Sequence, residues 1–249
     1  MGGTHSAFPT APVVLSMTTV PWRLHDDFAR KVISLLDGLP AHVELHLNVP
    51  HVLQRKRLAY PPIPPALQTH PRISVFRTHD YGPITKLIPT LHRALGKPVL
   101  IVVLDDDNVY SPRYVRALVN GMTPHTRFIR SKLAHLHGQT FPQGYSGIAI
   151  PMPLITRAII HWLETATGSP GARCFTSDDF VQGFVFQRAG IPMRMFNFAP
   201  IGKHNFSNSQ SRKDEHALYR QGHYHTYKQC KAELAALQPD RARTRPRPL

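Results

Sequence analysis

The sequence predicts an α/β domain built on a mainly parallel sheet with helices on its faces. Short β-branched apolar runs alternate with segments of helical periodicity, which is the pattern of successive βαβ units. One of those runs, Val99 to Leu104, is apolar at every position, as a central strand covered on both faces must be. At 42% hydrophobic and 18% charged over 249 residues, the chain can bury the core of one large domain. Its 24 prolines and 15 glycines stay below a low-complexity composition. No apolar run approaches the roughly 18 residues of a membrane-spanning helix.

Taken in order, Pro12 to Thr19 is a buried strand, apolar and β-branched, that opens into the turn Val20-Pro21-Trp22. Asp26 or Asp27 caps a helix that runs to Leu36 and stops at Gly38, with Phe28, Val32, Ile33, Leu35 and Leu36 at helical spacing. Val43 to Val49 is the second strand. Pro50 to Pro71 contains Pro61-Pro62-Ile63-Pro64-Pro65, where prolines remove backbone donors, so it is expected as a surface excursion of polyproline character. Arg72 to Arg77 is the third strand, Ile84 to Leu95 a helix kinked at Pro89, and Val99 to Leu104 the central strand. Ser111-Pro112 places a cap and a first-turn proline on a helix to Asn120. Ile148 to Ile150 is a strand, Pro153 to Thr165 and Ser177 to Ala189 are helices, the second closed by Gly190, and Met193 to Phe198 is a last strand. In such sheets ligands lie beyond the carboxyl ends of the strands.

These elements give a flexible N-terminus over 1–11, one domain over 12–206, a polar and helical extension over 207–238, and a disordered basic tail over 239–249. Thirty Lys and Arg against fifteen Asp and Glu leave a net charge of +15, which favours polyanionic partners, and the tail suits acidic glycans, RNA or an anionic membrane surface. Cys174 and Cys230 lie far apart and form no CxxC pair, so neither a disulfide framework nor a cysteine zinc site is suggested, and a reducing, cytoplasmic setting is the simpler expectation. Met1-Gly2-Gly3-Thr4-His5-Ser6 matches the N-myristoylation pattern, a match short enough to arise by chance.

Asp105-Asp106-Asp107 directly follows the central strand. Three adjacent carboxylates at the end of a buried strand repel one another unless a cation or hydrogen-bond donors compensate them. Hard divalent cations use one or two carboxylates, with phosphate oxygens and water completing the shell. Residues 105 and 107 share one side of an extended segment, so both are expected on one metal, with Asp106 facing elsewhere. Gly82-Pro83 makes a tight entry to a helix whose first amides favour anions, and Lys86 adds a mobile positive charge.

With these segments the chain resembles the GT-A glycosyltransferases, nucleotide-sugar-dependent enzymes with a Rossmann-like fold, over roughly residues 12 to 206. The DxD-like acids match that family's metal motif. Asp80 and Lys86, in His79-Asp80-Tyr81-Gly82-Pro83-Ile84-Thr85-Lys86-Leu87, match the segment that precedes it. By the resemblance, the first strand and loop with Thr18, Thr19 and Arg23 contact base, ribose and phosphate, and Asp105 and Asp106 also face the sugar nucleotide. Gly144-Tyr145-Ser146-Gly147 is the acceptor-side loop. Asp178-Asp179 is similar to the acid pair of inverting members, whose second acid is the general base. Asp179 takes that position, while Asp178 replaces the usual Glu and leaves the assignment open. His204 is the implied third metal ligand beside Asp105 and Asp107, and Lys203 lies near phosphate. Implied cofactors and partners are Mn²⁺ or Mg²⁺, a nucleoside-diphosphate sugar (UDP-linked ahead of GDP-linked), and a glycan or other hydroxyl acceptor.

Two rival classes remain. A metal-dependent phosphohydrolase or nuclease would turn over phosphate esters without a sugar donor. A basic nucleic-acid-binding protein would bind RNA in a salt-sensitive manner that survives chelation.

Overall fold

The computed structural model describes residues 8–136, 138–197, 201, 206–207 and 223–236. Its first half runs β1 (Val13–Thr18), α1 (Asp26–Asp37), β2 (Val43–Pro50), β3 (Val52–Leu53), β4 (Leu58–Ala59), α2 (Pro65–Thr69), β5 (Ile73–Thr78), α3 (Ile88–Ala94) and β6 (Leu100–Val103). It continues with β7 (Val109–Tyr110), α4 (Pro112–Val119), β8 (Ile129–Ser131), β9 (Leu133–Leu136), β10 (Gln139–Pro142) and β11 (Ile148–Pro151). Helices α5 (Arg157–Thr167) and α6 (Asp178–Arg188), strands β12 (Met193–Met195) and β13 (Phe206–Ser207), and helix α7 (His223–Ala236) complete it.

The fold is α/β, as expected. A 7-stranded sheet has the order β12-β8-β11-β6-β1-β2-β5. Strands β5, β2, β1 and β6 are parallel neighbours, and β12 is parallel to β8. Strand β11 is antiparallel to both β6 and β8. The chain leaves β8, turns back through the β9–β10 hairpin and re-enters by the short Gly144–Ser146 turn, so β11 has no crossover that could make it parallel.

Two cores lie on the two faces. Leu100, Val102 and Leu104 enter one, while Ile101 and Val103 enter the other, all fully buried. Period-two alternation therefore makes the uniformly apolar run β6 the partition between the cores.

Some local expectations are corrected. The stretch Pro50–Pro71 is not a bare polyproline excursion: it holds the β3–β4 hairpin and α2, which a proline opens because its fixed φ suits the first helical turn. Pro89 likewise sits in the first turn of α3, after a 3-10 turn over Gly82–Lys86, so it starts a helix rather than kinking one. The strand expected to Phe198 ends at Met195. Strands β8, β9 and β10 were not expected, being too short and polar to show a period. Helix α7 lies in the stretch expected to be polar and helical, and its Tyr227, Cys230 and Leu234 join the core.

The cysteines are also corrected. Cys174 and Cys230 form a disulfide across 56 residues, with Cα atoms 4.7 Å apart and both side chains fully buried. Distance along the chain stood in for distance in space, and docking of α7 on the segment before α6 closes that distance. Among the described residues, no helix is long and apolar enough to cross a membrane.

Candidate active site

The carboxyl ends of β1, β5 and β6, the turn entering β11 and the first turn of α6 meet at one end of the sheet. Their centre is Lys86. Its Nζ lies 2.5 Å from Asp105 Oδ1 and 2.8 Å from Asp178 Oδ2, and only 4% of the residue is exposed. The Asp178 contact has ion-pair distance without hydrogen-bond direction. Burial opposes the lysine's charge, but Asp105, Asp178 and Asp179 outweigh it and hold its pKa well above the ordinary value.

A buried polar network fixes the backbone beneath this lysine. Ser16 Oγ bonds the Lys86 carbonyl and lies 2.6 Å from Thr90 Oγ1, which accepts from Asn48 Nδ2 at 3.0 Å. Asp80 braces the preceding turn: its Oδ2 accepts from the Gln54 amide and its Oδ1 from the Gly82 amide, each at 2.8 Å. Gly82 has φ +72°, and a Cβ there would lie 2.2 Å from the Phe175 carbonyl oxygen, so only glycine fits.

The three consecutive aspartates divide between two cations, and Asp107 shares Arg23 with Asp106 instead of pairing with Asp105 as the extended-strand reading expected. Asp105 meets Lys86. Asp106 accepts from Thr19 Oγ1 at 2.8 Å and pairs with Arg23 Nη1 at 2.5 Å. Asp107 accepts from Asn108 Nδ2 at 2.9 Å and stands 3.4 Å from Arg23 Nη2. Burial, then Asp106 and Asp105, outweigh Arg23 and Lys86 and push Asp107 up to about 7. The Thr18 hydroxyl donates to the Asn48 carbonyl at 2.7 Å.

Gly144 closes the cluster from the β11 side. Its amide donates to Asp179 Oδ1 at 2.9 Å. A Cβ on Gly144 would lie 2.7 Å from both Asp179 Oδ1 and Lys86 Nζ. Two tyrosines hold this loop, Tyr110 donating to the Tyr145 carbonyl and Tyr114 to the Ser146 carbonyl, each at 2.8 Å. The Tyr110 hydroxyl also accepts the Asp105 amide at 3.2 Å, which ties the acid run to the loop. Ser146 is buried, and Gly147 turns at φ +77° into β11. For Asp179, burial, then Asp178 and Asp105, prevail over Lys86 and the Gly144 amide and raise its pKa well above the ordinary carboxylate value.

The structure thus brings together Asp105, Lys86, Asp178, Asp179 and Gly144, which sequence reasoning singled out in separate segments. Arg23 and Thr19 join through Asp106. Asp80 stands behind the turn with both oxygens engaged by backbone amides. Lys203 and His204 lie outside the described residues. Sequence reasoning missed Tyr110, Tyr114, Ser16 and Asn48, whose parts depend on contacts far apart in the chain.

Among the described residues, no group of three or more His, Cys, Asp or Glu side chains is arranged to hold a metal ion. Asp107 nevertheless carries a carboxylate whose charge its neighbours leave undercompensated. Asp105 and Asp107 are the oxygen donors that a hard cation uses beside substrate and water, and each here faces a side-chain cation, Asp105 facing Lys86 and Asp107 facing Arg23.

No protein-family model and no curated protein sequence matches the chain. Among solved structures it is similar to the mannosyltransferase PcManGT from Pyrobaculum calidifontis, in complex with GDP-Man and Mn²⁺. That similarity has 13% identity and a TM-score of 0.46 over 94% of this chain and 73% of that one.

Proposed function

We propose that this chain is a metal-dependent glycosyltransferase that moves a sugar from a nucleoside-diphosphate sugar to a hydroxyl acceptor with inversion. The observation that supports this most is the meeting of Asp105, Asp178, Asp179 and the Gly144 amide around one buried lysine, at the carboxyl end of a mainly parallel sheet. A solvated acidic turn explains this poorly, because the acids are buried together on one lysine at the end of the sheet where ligands bind.

In this reading Asp179 accepts the proton of the acceptor hydroxyl as that oxygen bonds to the anomeric carbon and the bond to the diphosphate breaks. A pKa raised above the ordinary carboxylate range is the direction a base working near neutrality needs. Lys86 keeps Asp105 and Asp178 in place and limits their repulsion. Arg23 and Thr19 orient Asp106, and Arg23 also faces Asp107. Asp105 and Asp107 would hold Mn²⁺ or Mg²⁺, with His204 as a further candidate, and the cation supplies charge neutralisation for the departing diphosphate. Lys203 is kept as a phosphate contact, and the Gly144–Gly147 loop as the acceptor side. The buried disulfide fits an oxidising compartment better than the reducing cytoplasm expected above.

Calorimetric titration with UDP, GDP, dTDP and CMP, each with Mn²⁺ and again with EDTA, tests the reading and names the donor's base. Saturable, metal-requiring binding of one nucleotide is expected. Asp107→Ala should abolish that metal-requiring binding, whereas Asp179→Asn should keep donor binding and lose transfer. Binding to none of them, beside tight salt-sensitive binding of RNA, would replace this reading with the nucleic-acid one.

A further inference from the structure

Helix α7 grips the start of α6 at regularly spaced points. Cys230 is bonded to Cys174, Thr226 Oγ1 lies 3.0 Å from Ser177 Oγ, and the Tyr227 ring stacks on Phe180 with centroids 5.2 Å apart. Glu233 Oε2 accepts the Arg173 amide at 3.0 Å. Residues 174, 177 and 180 recur every three positions, and Asp178 and Asp179 stand between the last two. Ser177 is the N-cap residue of α6 by position, yet its side chain makes no capping bond and meets Thr226 instead. A serine that would ordinarily satisfy its own helix is thus turned toward the C-terminal helix. Tyr227 also packs edge-on against Phe141, at 5.7 Å, beside the strand end that leads to Gly144.

We propose that α7 is a covalent strap for the acid pair, and that the Cys174–Cys230 bridge is a thiol-sensitive lock keeping Asp178 and Asp179 seated on Lys86 and Gly144. Thr226 and Tyr227 are positioning residues acting through Ser177 and Phe180. Both sulfurs are fully buried, so a reductant reaches them only after α7 lifts. Opening the bridge takes two electrons and two protons from a dithiol, which is itself oxidised to its disulfide, and leaves two cysteine thiols. The lock therefore holds in an oxidising compartment and releases where dithiols are abundant. The seating is a matter of structure, while its consequence for sugar transfer rests on the function proposed above.

The test reads the seat itself, by amide hydrogen exchange of the full chain with and without dithiothreitol. The Gly144 amide, bonded to Asp179, is the reporter, and the Leu45 amide, bonded to the Arg72 carbonyl in the distant half of the sheet, is the control. Reduction should speed exchange at Gly144 at least tenfold and leave Leu45 within twofold. Unchanged protection at Gly144 in the reduced protein would overturn the proposal, as would alkylation of both cysteines in the air-oxidised, unreduced protein. Should reduction release Leu45 as well, Tyr227→Leu with the bridge intact decides: faster exchange at Gly144 alone sustains the strap, and wild-type exchange overturns it. No substrate is needed, so a failed glycosyltransferase assay leaves this result standing. If transfer is found, reduction should lower kcat more than it weakens nucleotide binding.

Discussion

At the residue scale the site depends on the absence of one methyl group. Gly144 has ordinary helical-turn geometry, so nothing in its backbone demands glycine; the demand comes from the ammonium and carboxylate 2.7 Å from where a Cβ would sit. Gly144→Ala must part Lys86 from Asp179 or move the loop off its two tyrosines. We expect transfer to fall about 100-fold, the scale of a lost electrostatic contact at a reacting centre, with a stability loss of only about 1 to 2 kcal/mol. Steady-state transfer and thermal melts would check this, and wild-type rates would show that the cluster tolerates spreading. His46 shows a buried charge avoided. Burial, then Arg93 and Lys97, lower its pKa to about 4, and its Nδ1 has no hydrogen-bond partner. The unfolded chain, with an ordinary histidine near 6.5, therefore binds the proton first, so the stability is complete above that value and is lost as pH falls toward 4. Allowing for its partial exposure, wild type should lose about 1 kcal/mol more than His46→Leu between neutral pH and pH 5 in chemical melts. Parallel curves would remove the assignment.

At the element scale, the legible parts were those whose signals are local. Strands β1, β2 and β6 and helices α1, α4 and α6 announced themselves by apolar period, caps and stops, because each buries a face that its own residues define. The β8–β10 segment did not, since Arg130, Lys132 and His135 interrupt any alternation and pairing partners alone make it a strand. Gly183 marks the same boundary. Within Val181-Gln182-Gly183-Phe184 it reads as a weak point in a helix, and Ala would be favoured there by about 1 kcal/mol if the face were open. In the fold that face lies on β10, where a Cβ would come 2.3 Å from Phe141 Cβ and 2.6 Å from the Thr140 carbonyl oxygen. Backbone and Cβ atoms cannot turn aside as a long side chain can, so Gly183→Ala should destabilise by about 3 kcal/mol despite its helix propensity. A denaturant midpoint equal to or above wild type would mean that α6 and β10 are less closely packed than this.

At the scale of the whole molecule, the sequence disclosed that acids gather at the end of a central strand but not what gathers them. Lys86, Asp105, Asp178 and Gly144 are legible singly as residue types in suggestive places, whereas their meeting on one nitrogen is a property of sheet order. The disulfide is the extreme case, for nothing local to Cys174 or Cys230 encodes the other. It also binds the polar end of the chain to the core, making α7 part of the domain rather than an appendage. Cross-linking 56 residues removes loop-closure entropy from the unfolded chain worth about 4 kcal/mol at 25 °C, and for a chain of this size that corresponds to a melting shift of roughly 10 °C. The Cys174→Ala, Cys230→Ala double variant should melt lower by that amount, and dithiothreitol should then leave its melting temperature unmoved while lowering that of wild type. Equal melting of wild type and variant under oxidising conditions would mean that non-covalent packing of Tyr227 and Leu234 alone holds α7 to the core.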